Sequence, residues 1–323
     1  MNTKILSFCI PVYNNSEGIS KILDNILSCD NDCFNVIVRD DCSKDNTQEV
    51  LSRFHDERLS CARNTSNLGA HMNWLRTLED GTGEYLYLVM GRDKLYTESI
   101  PRLMEFLEYA RDNNIFCLRY NFFAKKDSKI YSGISAMINF IGFNHPTGII
   151  FSRKAFLEIP ENNRECYFTH SDMYPENYVM RDLLLKGKGA VLRSGVYRGE
   201  IVMANMKSQV ENGGDISELY YAPARRIKQF FEFVDMIDDT GKFTRYQCNR
   251  YYREKFRDLL VSITKAWKSA CENEWWQSHY GQNVRNVNRR EMFGNVIQAV
   301  KKSAEYFRAK GTYSFSRMMI FHE

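Results

Sequence analysis

The chain has 323 residues, of which 44% are hydrophobic and 26% are charged, enough to bury the core of one α/β domain and a smaller second region. Its 44 lysine and arginine residues against 40 acidic residues give a net charge of +4, which excludes nonspecific nucleic-acid binding but leaves a local basic site open. The nine cysteines include no C-x-x-C pair, which favours buried thiols in a reducing compartment over metal or disulfide chemistry.

The N-terminal sequence gives no sign of export. MNTKILSFCIPVYNN reaches a proline and two asparagines before a signal-peptide core could form, and no run of about 18 apolar residues follows. We therefore expect a cytoplasmic protein.

The first third of the chain alternates short apolar runs with amphipathic segments. Strands are predicted at ILSFCIPV (5–12), FNVIV (34–38), LSCAR (59–63) and YLYLVM (85–90). Helices are predicted at ISKILDNIL (19–27), NTQEVLSRF (46–54), HMNWLRTL (71–78) and ESIPRLMEFLEYA (98–110). Near-continuous apolar strands separated by helices indicate a mainly parallel sheet with helices on both faces.

Polar residues follow each of these four strands. The clusters are Pro11 to Asn14, Arg39-Asp40-Asp41, Arg63-Asn64 and Gly91-Arg92-Asp93. Each one alone is explained equally well by turn formation or helix capping. Ligands bind outside the carboxyl ends of the strands in open parallel sheets, so four clusters at successive strand ends favour a binding rim.

The residue types at this rim limit its ligands. The absence of G-x-x-x-x-G-K-[ST] and of G-x-G-x-x-G after the first strand disfavours a P-loop enzyme and a dinucleotide dehydrogenase. Tyr13 can stack on a base, and Asp40 or Asp41 can accept hydrogen bonds from a base or ribose. Asp93 can hold a divalent cation against a diphosphate, with Arg63 adding positive charge. These are the requirements of a nucleotide-sugar site.

Four segments resemble the successive signatures of family 2 glycosyltransferases with the GT-A fold: FCIPVYNNSEGISKILDNIL, VIVRDDCSKDNTQEVL, RNTSNLGAHMN and YLYLVMGRDKL. The resemblance covers residues 4–115 well and 116–200 more loosely. It implies a Rossmann-like α/β nucleotide-diphospho-sugar transferase fold. It also implies a nucleobase pocket lined by Pro11 and Tyr13, base and ribose contacts from Asp40 and Asp41, and a loop near the nucleotide that contains Arg63, Asn67 and Gly69.

The segment Gly91-Arg92-Asp93 departs from the family pattern of two or three acids after this strand. Asp93 occupies the position that the family uses to ligate Mn²⁺ or Mg²⁺, and we expect it to be the metal ligand. Arg92, counted here among the nucleotide-binding residues, or Lys94 can instead neutralise the diphosphate directly. Metal dependence is therefore left open, and so is a plain turn role for Asp93.

A catalytic base is expected in YFTHSDMYPENYVMRDLLLKGKGAVL (167–192). An inverting transferase needs a carboxylate that removes the proton of the acceptor hydroxyl. In the family this base precedes a helix that ends near a glycine, and counting back from Gly187 places Glu176 there. Asp172 lies one turn earlier, so both remain candidates, while His170 is interpreted as structural.

The sequence changes character near Gly213-Gly214. We predict a GT-A domain over 1–214, with a nucleotide-binding part at about 1–115 and an acceptor and catalytic part at about 116–214. Residues 215–323 are predicted to be helical, with aromatic and basic residues interleaved. Two interpretations stay open for this region: a helical bundle packed on the sheet domain or on a second copy, and a surface that touches the inner membrane leaflet, where a lipid-linked acceptor would sit.

The sequence thus predicts an inverting glycosyltransferase that uses a nucleotide-diphosphate donor, with UDP the commonest nucleotide in the family. The expected acceptor is a glycan or lipid-linked oligosaccharide in polysaccharide, O-antigen or capsule synthesis. One alternative is a non-catalytic nucleotide-sugar-binding subunit of an assembly complex. A sugar-nucleotide pyrophosphorylase is disfavoured because YNNSEGIS lacks a glycine-rich loop with arginine and lysine. A homo-oligomer is left open.

Overall fold

The computed structural model describes residues 4–91, 93–121, 129–143, 147–171, 174–193, 197–198, 222–272 and 286–311. The chain forms two compact units, Met1–Val202 and Met203–Glu323. We call them the N-terminal unit and the C-terminal unit. The predicted domain boundary at residue 214 lies outside the described residues and stays a prediction.

The N-terminal unit is built on an eight-stranded sheet. Its strands are β1 Leu6–Val12, β2 Phe34–Asp40, β3 Leu59–Arg63, β4 Tyr85–Leu88, β6 Ile115–Asn121, β7 Lys129–Tyr131, β8 Ile149–Ser152 and β9 Lys188–Arg193. They lie in the order β3-β2-β1-β4-β8-β6-β9-β7. A separate antiparallel pair joins β5 Lys94–Leu95 to β10 Tyr197–Arg198.

The four strands that the sequence predicts, β3, β2, β1 and β4, all run in one direction, as expected. Further along the sheet is mixed, because β8 runs antiparallel to both β4 and β6. β8 enters the sheet at the carboxyl end of β4, where Ile149 pairs with Leu88. As a result, the residues before β8 lie at the same edge as the ends of β1 to β4.

Helices follow the strands much as the apolar periodicity predicts. The N-terminal unit contains α1 Ser16–Leu27, α2 Thr47–Leu51, α3 Ala70–Asp80, α4 Ile100–Asp112, α5 Gly133–Phe140, α6 Arg153–Leu157, α7 Glu161–His170 and α8 Glu176–Lys186, with a 3₁₀ turn at Thr97–Ser99. Asn15 caps α1 by accepting a hydrogen bond from the Gly18 amide. Pro101 stands in the first turn of α4, where its missing N–H is not needed.

The core of the N-terminal unit places β1 at its centre. All seven β1 residues are buried, since β1 pairs with β2 on one side and β4 on the other. The Phe8 ring contacts Phe34 edge-on at 5.2 Å and Tyr87 at 5.5 Å. Burial of this kind fixes the strands rigidly, so the loops at their carboxyl ends have defined starting points.

The C-terminal unit is helical in its described residues, which confirms the predicted helical region. Its helices are Pro223–Asp238, Arg245–Val261, Trp267–Glu272 and Arg289–Ala309, and one π-helical turn spans Ser262–Ala266. Thr244 and Gln247 form a capping box at the second helix. The Phe231 and Tyr306 rings stack at 4.2 Å. Among the described helices, none is both long and apolar enough to cross a membrane.

Candidate functional site

Three strand ends meet at one edge of the sheet, which we call the rim. Val12 pairs with Asp40, and Asp40 pairs with Arg63, across the last residues of β1, β2 and β3. Pro11 is buried at the end of β1, and Tyr13 is half-buried directly after it. The structure therefore brings Pro11, Tyr13, Asp40 and Arg63 to one edge of the sheet.

Asp40 is wholly buried and connects the rim internally. Its Oδ1 accepts hydrogen bonds from the Ser43 amide (3.1 Å) and the Ser43 hydroxyl, and its Oδ2 accepts one from Gln48 Nε2 (2.7 Å). Arg63 Nε lies 3.5 Å from Oδ2, and Arg63 also donates to the Ser43 carbonyl (2.9 Å). The Arg63 side chain is nevertheless 44% exposed. Asp40 thus orients an arginine that still faces solvent.

Asp41 holds the loop that follows β3. Its Oδ1 accepts hydrogen bonds from Asn64 Nδ2 and the Leu68 amide, both at 2.8 Å, and its Oδ2 accepts one from the Gly69 amide at 2.9 Å. Gly69 has φ +84° and precedes α3, and Asn67 Oδ1 also accepts from its amide at 2.9 Å. Asn67 and Gly69 are exposed. Asp41 is only 1% exposed, so its carboxylate binds the amides of the loop, including the one directly before α3, from the protein interior.

The turns after β1 and β2 interlock. Asn14 and Cys42 both adopt left-handed backbone conformations, with φ +46° and +61°, which is uncommon for residues other than glycine. The Asn14 amide donates to Ser43 Oγ (2.9 Å), and the Lys44 amide donates to Asn14 Oδ1 (2.8 Å). These bonds fix the backbone directly after Tyr13 at the rim.

Asp45 ties the second turn to the start of α1. Burial raises the pKa of Asp45, but hydrogen bonds from the Thr47 hydroxyl and amide and from Ser16 lower the pKa by more. The net pKa of Asp45 therefore lies below its usual value. The Thr47 hydroxyl donates at 2.5 Å and the Ser16 amide at 3.1 Å. A carboxylate at this place also complements the positive end of α1.

Asp93 lies in the turn that follows β4 and is 6% exposed. Its amide donates to the Met90 carbonyl (2.9 Å), and the Gly91 carbonyl accepts from Asn15 Nδ2 (3.4 Å). Arg92 lies outside the described residues. No group of three or more histidine, cysteine or acidic residues that could hold a metal is found in the described part of the chain.

Two later segments reach this edge without any local sequence signal. The Met90 amide donates to the hydroxyl of buried Thr147 (2.8 Å), which precedes β8. Lys94, exposed and directly after Asp93, pairs in register with Arg198. The contact of Met90 with Thr147 and the pairing of Lys94 with Arg198 were not predicted, because contacts between distant segments leave no pattern in either segment.

An internal amide pair was missed as well. Asn73 is 2% exposed on α3, and its Nδ2 donates to the Arg39 carbonyl (3.1 Å) while its Oδ1 accepts from Asn64 (3.0 Å). Arg39 in turn forms two hydrogen bonds to Asp80, at 2.7 and 2.9 Å. Polar residues one turn apart among the leucines of α3, Asn73 and Thr77, are the signal that could have identified Asn73.

On the acceptor side, the structure describes one of the two candidate bases. Glu176 is the first residue of α8 and is wholly buried, whereas Asp172 lies outside the described residues. The neighbouring Asn177 side chain exchanges hydrogen bonds with the Gly142 backbone, at 3.1 and 3.0 Å. His170 is exposed, and its Nδ1 lies 3.0 Å from the Cys166 carbonyl on its own helix.

Comparison with known proteins identifies the class. The family model described as "Glycosyl transferase family 2" matches residues 7–181, more than half of the chain. The protein therefore belongs to glycosyl transferase family 2. The match begins in β1 and includes Tyr13, Asp40, Asp41, Arg63 and Asp93.

Relatives of established name are similar over shorter segments. Abequosyltransferase RfbV of Salmonella typhimurium is 27% identical over 113 residues, 33% of this chain and 34% of that protein. The UDP-Glc:alpha-D-GlcNAc-diphosphoundecaprenol beta-1,3-glucosyltransferase WfaP of Escherichia coli is 25% identical over 38% of this chain and 48% of its own. The similar segments thus span between a third and a half of these relatives.

Solved structures confirm the predicted GT-A fold. Residues 1–349 of S. aureus TarS superpose with a TM-score of 0.58 at 15% identity, covering 92% of this chain and 79% of that one. The TarS complex with UDP-GlcNAc gives the same TM-score at 17% identity, with coverages of 85% and 78%. At this identity the similarity shows the fold alone.

Proposed function

We propose that the chain is an inverting glycosyltransferase that moves a sugar from a nucleotide-diphosphate donor, UDP, to a glycan or lipid-linked acceptor in bacterial surface polysaccharide synthesis. One observation carries the proposal: the family match over 7–181 coincides with the rim, where three adjacent strand ends present Tyr13 and Arg63 to solvent. The names of RfbV and WfaP and the UDP-GlcNAc bound to TarS support the donor class and the acceptor class.

In this proposal Pro11 and Tyr13 form the base pocket, and Arg63 faces the nucleotide. Asp40 and Asp41 are buried with several protein donors on their oxygens, so a direct ligand contact would compete with those bonds. Their main contribution is to hold Arg63 and the loop at residues 64–69, including Asn67 and Gly69, in place around the ligand.

The residues present fit a divalent cation that is bound mainly by the donor. Mg²⁺ and Mn²⁺ in phosphate sites take one or two carboxylates and complete their shell with phosphate oxygens and water. Asp93 supplies one buried carboxylate at the rim. A cation held there would supply positive charge to the diphosphate. Arg92 and Lys94 are the basic alternatives next to Asp93, so we treat metal dependence as open to measurement.

Asp172 or Glu176 acts in the proposal as the base that takes the acceptor proton. Direct attack on the anomeric carbon, opposite the departing diphosphate, inverts its configuration, and a positioned carboxylate accelerates that step. Glu176 is fully buried at the start of α8. A role as base therefore requires acceptor binding to open a path to its carboxylate.

The non-catalytic nucleotide-sugar-binding subunit is the second candidate, favoured by the single acid in Gly91-Arg92-Asp93. Both candidates bind the donor, and only the enzyme consumes it. Peripheral contact with the inner membrane leaflet through the C-terminal helices belongs to the proposal too, since a lipid-linked acceptor would be there.

A donor screen tests the proposal. The purified chain is incubated with a panel of nucleotide sugars and a lipid-linked or synthetic acceptor, with and without Mn²⁺, and products are read by mass spectrometry. Thermal unfolding with the corresponding nucleoside diphosphates runs in parallel, because a ligand that binds only the folded rim raises the unfolding temperature. Stabilisation without any product would select the binding subunit, and no stabilisation by any nucleotide would overturn both candidates.

A further inference from the structure

The helix Arg289–Ala309 of the C-terminal unit has one side packed inside that unit. Ala299, Ser303 and Phe307 are buried at intervals of four residues. Tyr306 stacks on Phe231 of another helix in the same unit. These contacts fix the rotation of the helix about its own axis and therefore determine which residues it exposes.

The outward side of this helix carries an apolar stripe. Phe293 is 66% exposed, Ile297 is 40% exposed and Val300 is 39% exposed. Their spacing of four and three residues places them on one side of the helix. We call these three residues the exposed stripe. Exposed apolar residues grouped on one side of a helix are a candidate interaction surface.

Two basic residues border the exposed stripe. Arg290 precedes Phe293 by three residues and Lys301 follows Ile297 by four, so both lie along its edge, and both are exposed. Neither takes part in an ion pair with any residue that the structure describes. The helix as a whole, RREMFGNVIQAVKKSAEYFRA, carries five basic residues and two acidic ones.

This charge distribution distinguishes the candidate occupants. A second copy docked stripe to stripe would bring Arg290 and Lys301 of both copies close together, and that repulsion disfavours it. An apolar strip bordered by lysine and arginine is instead the pattern of a helix that lies in the interface of an anionic bilayer. Anionic headgroups complement the basic edge while the acyl boundary receives the apolar side chains.

We propose that the exposed stripe binds the surface of an anionic lipid bilayer, with Phe293 and Ile297 entering the boundary between headgroups and acyl chains and with Arg290 and Lys301 at the lipid phosphates. The proposal deepens the membrane-peripheral part of the proposed function. Its surface belongs to the C-terminal unit alone, so it can be tested independently of donor turnover.

The test is vesicle flotation of the full chain with phosphatidylcholine vesicles and with vesicles containing about one-third phosphatidylglycerol. Phe293→Gln/Ile297→Gln removes the apolar anchors and keeps good helix formers, and we expect the partition coefficient to fall about tenfold or more. Arg290→Gln/Lys301→Gln should lower it about fivefold per charge on anionic vesicles. The matched control is Tyr246→Gln/Val261→Gln, because these residues are 60% and 50% exposed on another helix of the unit.

The proposal is supported if the wild type binds only vesicles that contain the anionic lipid and binds them more weakly at high salt. The control variant should bind like the wild type, and both test variants should bind less. Equal flotation of the wild type and the Phe293→Gln/Ile297→Gln variant overturns it. No flotation of the wild type also overturns it, and a dimer that disappears in the same variant would assign the stripe to a second copy. The rise in unfolding temperature caused by a nucleotide should be the same in every variant. A change in vesicle binding can then be assigned to the stripe and not to the donor site.

Discussion

Asp41→Asn is expected to destabilise the N-terminal unit before it affects any ligand. The carboxylate accepts three hydrogen bonds, from Asn64 Nδ2, the Leu68 amide and the Gly69 amide. An asparagine keeps one oxygen, so at least one of these three donors loses its acceptor, and the new NH₂ group faces an N–H. Hydrogen bonds to a charged group contribute about 1.5–3 kcal/mol each. We therefore expect a loss of about 2–3 kcal/mol in the free energy of unfolding.

Thermal unfolding measures this loss. For a unit of this size, about 1 kcal/mol corresponds to a shift of roughly 2–4 °C, so the Tm of the N-terminal unit should fall by roughly 4–12 °C. Hydrogen exchange at residues 64–69 should rise, since the loop loses its anchor. Glu17→Gln is the control: Glu17 accepts one hydrogen bond, from exposed Lys21 on its own helix, and its replacement should leave the Tm unchanged.

The opposite pattern would refute this reasoning. If Asp41→Asn abolishes nucleotide binding while its Tm stays within about 1 °C of wild type, the carboxylate acts on the ligand and its bonds to the loop contribute little. If Tm and binding fall together and binding recovers when the temperature is lowered, the structural role is supported.

Three further outcomes are expected. Asp93→Ala should lose most activity while nucleotide binding without metal changes little; full wild-type activity in excess EDTA would transfer the role to a basic neighbour. Thr47 and backbone hydrogen bonds hold the pKa of Asp45 below its usual value, so its stabilisation is present above about pH 5 and is lost as pH falls below about 4. The gap in Tm between wild type and Asp45→Asn should therefore close in acid. Of Asp172→Asn and Glu176→Gln, one should lower turnover by about 10²–10⁴ and retain donor binding, whereas normal turnover in both would exclude them.

The rim could be predicted because its signals are local. Each of β1, β2 and β3 is a short apolar run that ends in polar residues, and parallel strands bring their carboxyl ends to one edge. The location of Asp40, Asp41 and Arg63 at this edge could therefore be predicted from the order of the strands and the residues that follow them. What each carboxylate contacts could not be predicted, because the donors to Asp41 come from residues 23 to 28 positions away.

The second half of the sheet could not be read in the same way. The direction of β8 depends on its pairing with β4 and β6, and an apolar run such as IIFS carries no information about direction. The same limit applies to Thr147 and to the pairing of Lys94 with Arg198. Each depends on contacts between segments that are distant in the sequence, so local periodicity does not predict them.

Burial changes the chemical character of the rim. The sequence shows two adjacent acids there, yet Asp40 and Asp41 are 0% and 1% exposed and point their charge into the protein. Solvent instead meets Arg63, 44% exposed, and the exposed Lys94 after Asp93. At Arg63 a ligand therefore meets an exposed cationic group backed by the buried Asp40 carboxylate, which holds the guanidinium without covering it. In the proposed function, Arg63 therefore meets the anionic diphosphate of the donor, and the acid-rich sequence block contributes by holding Arg63 in place.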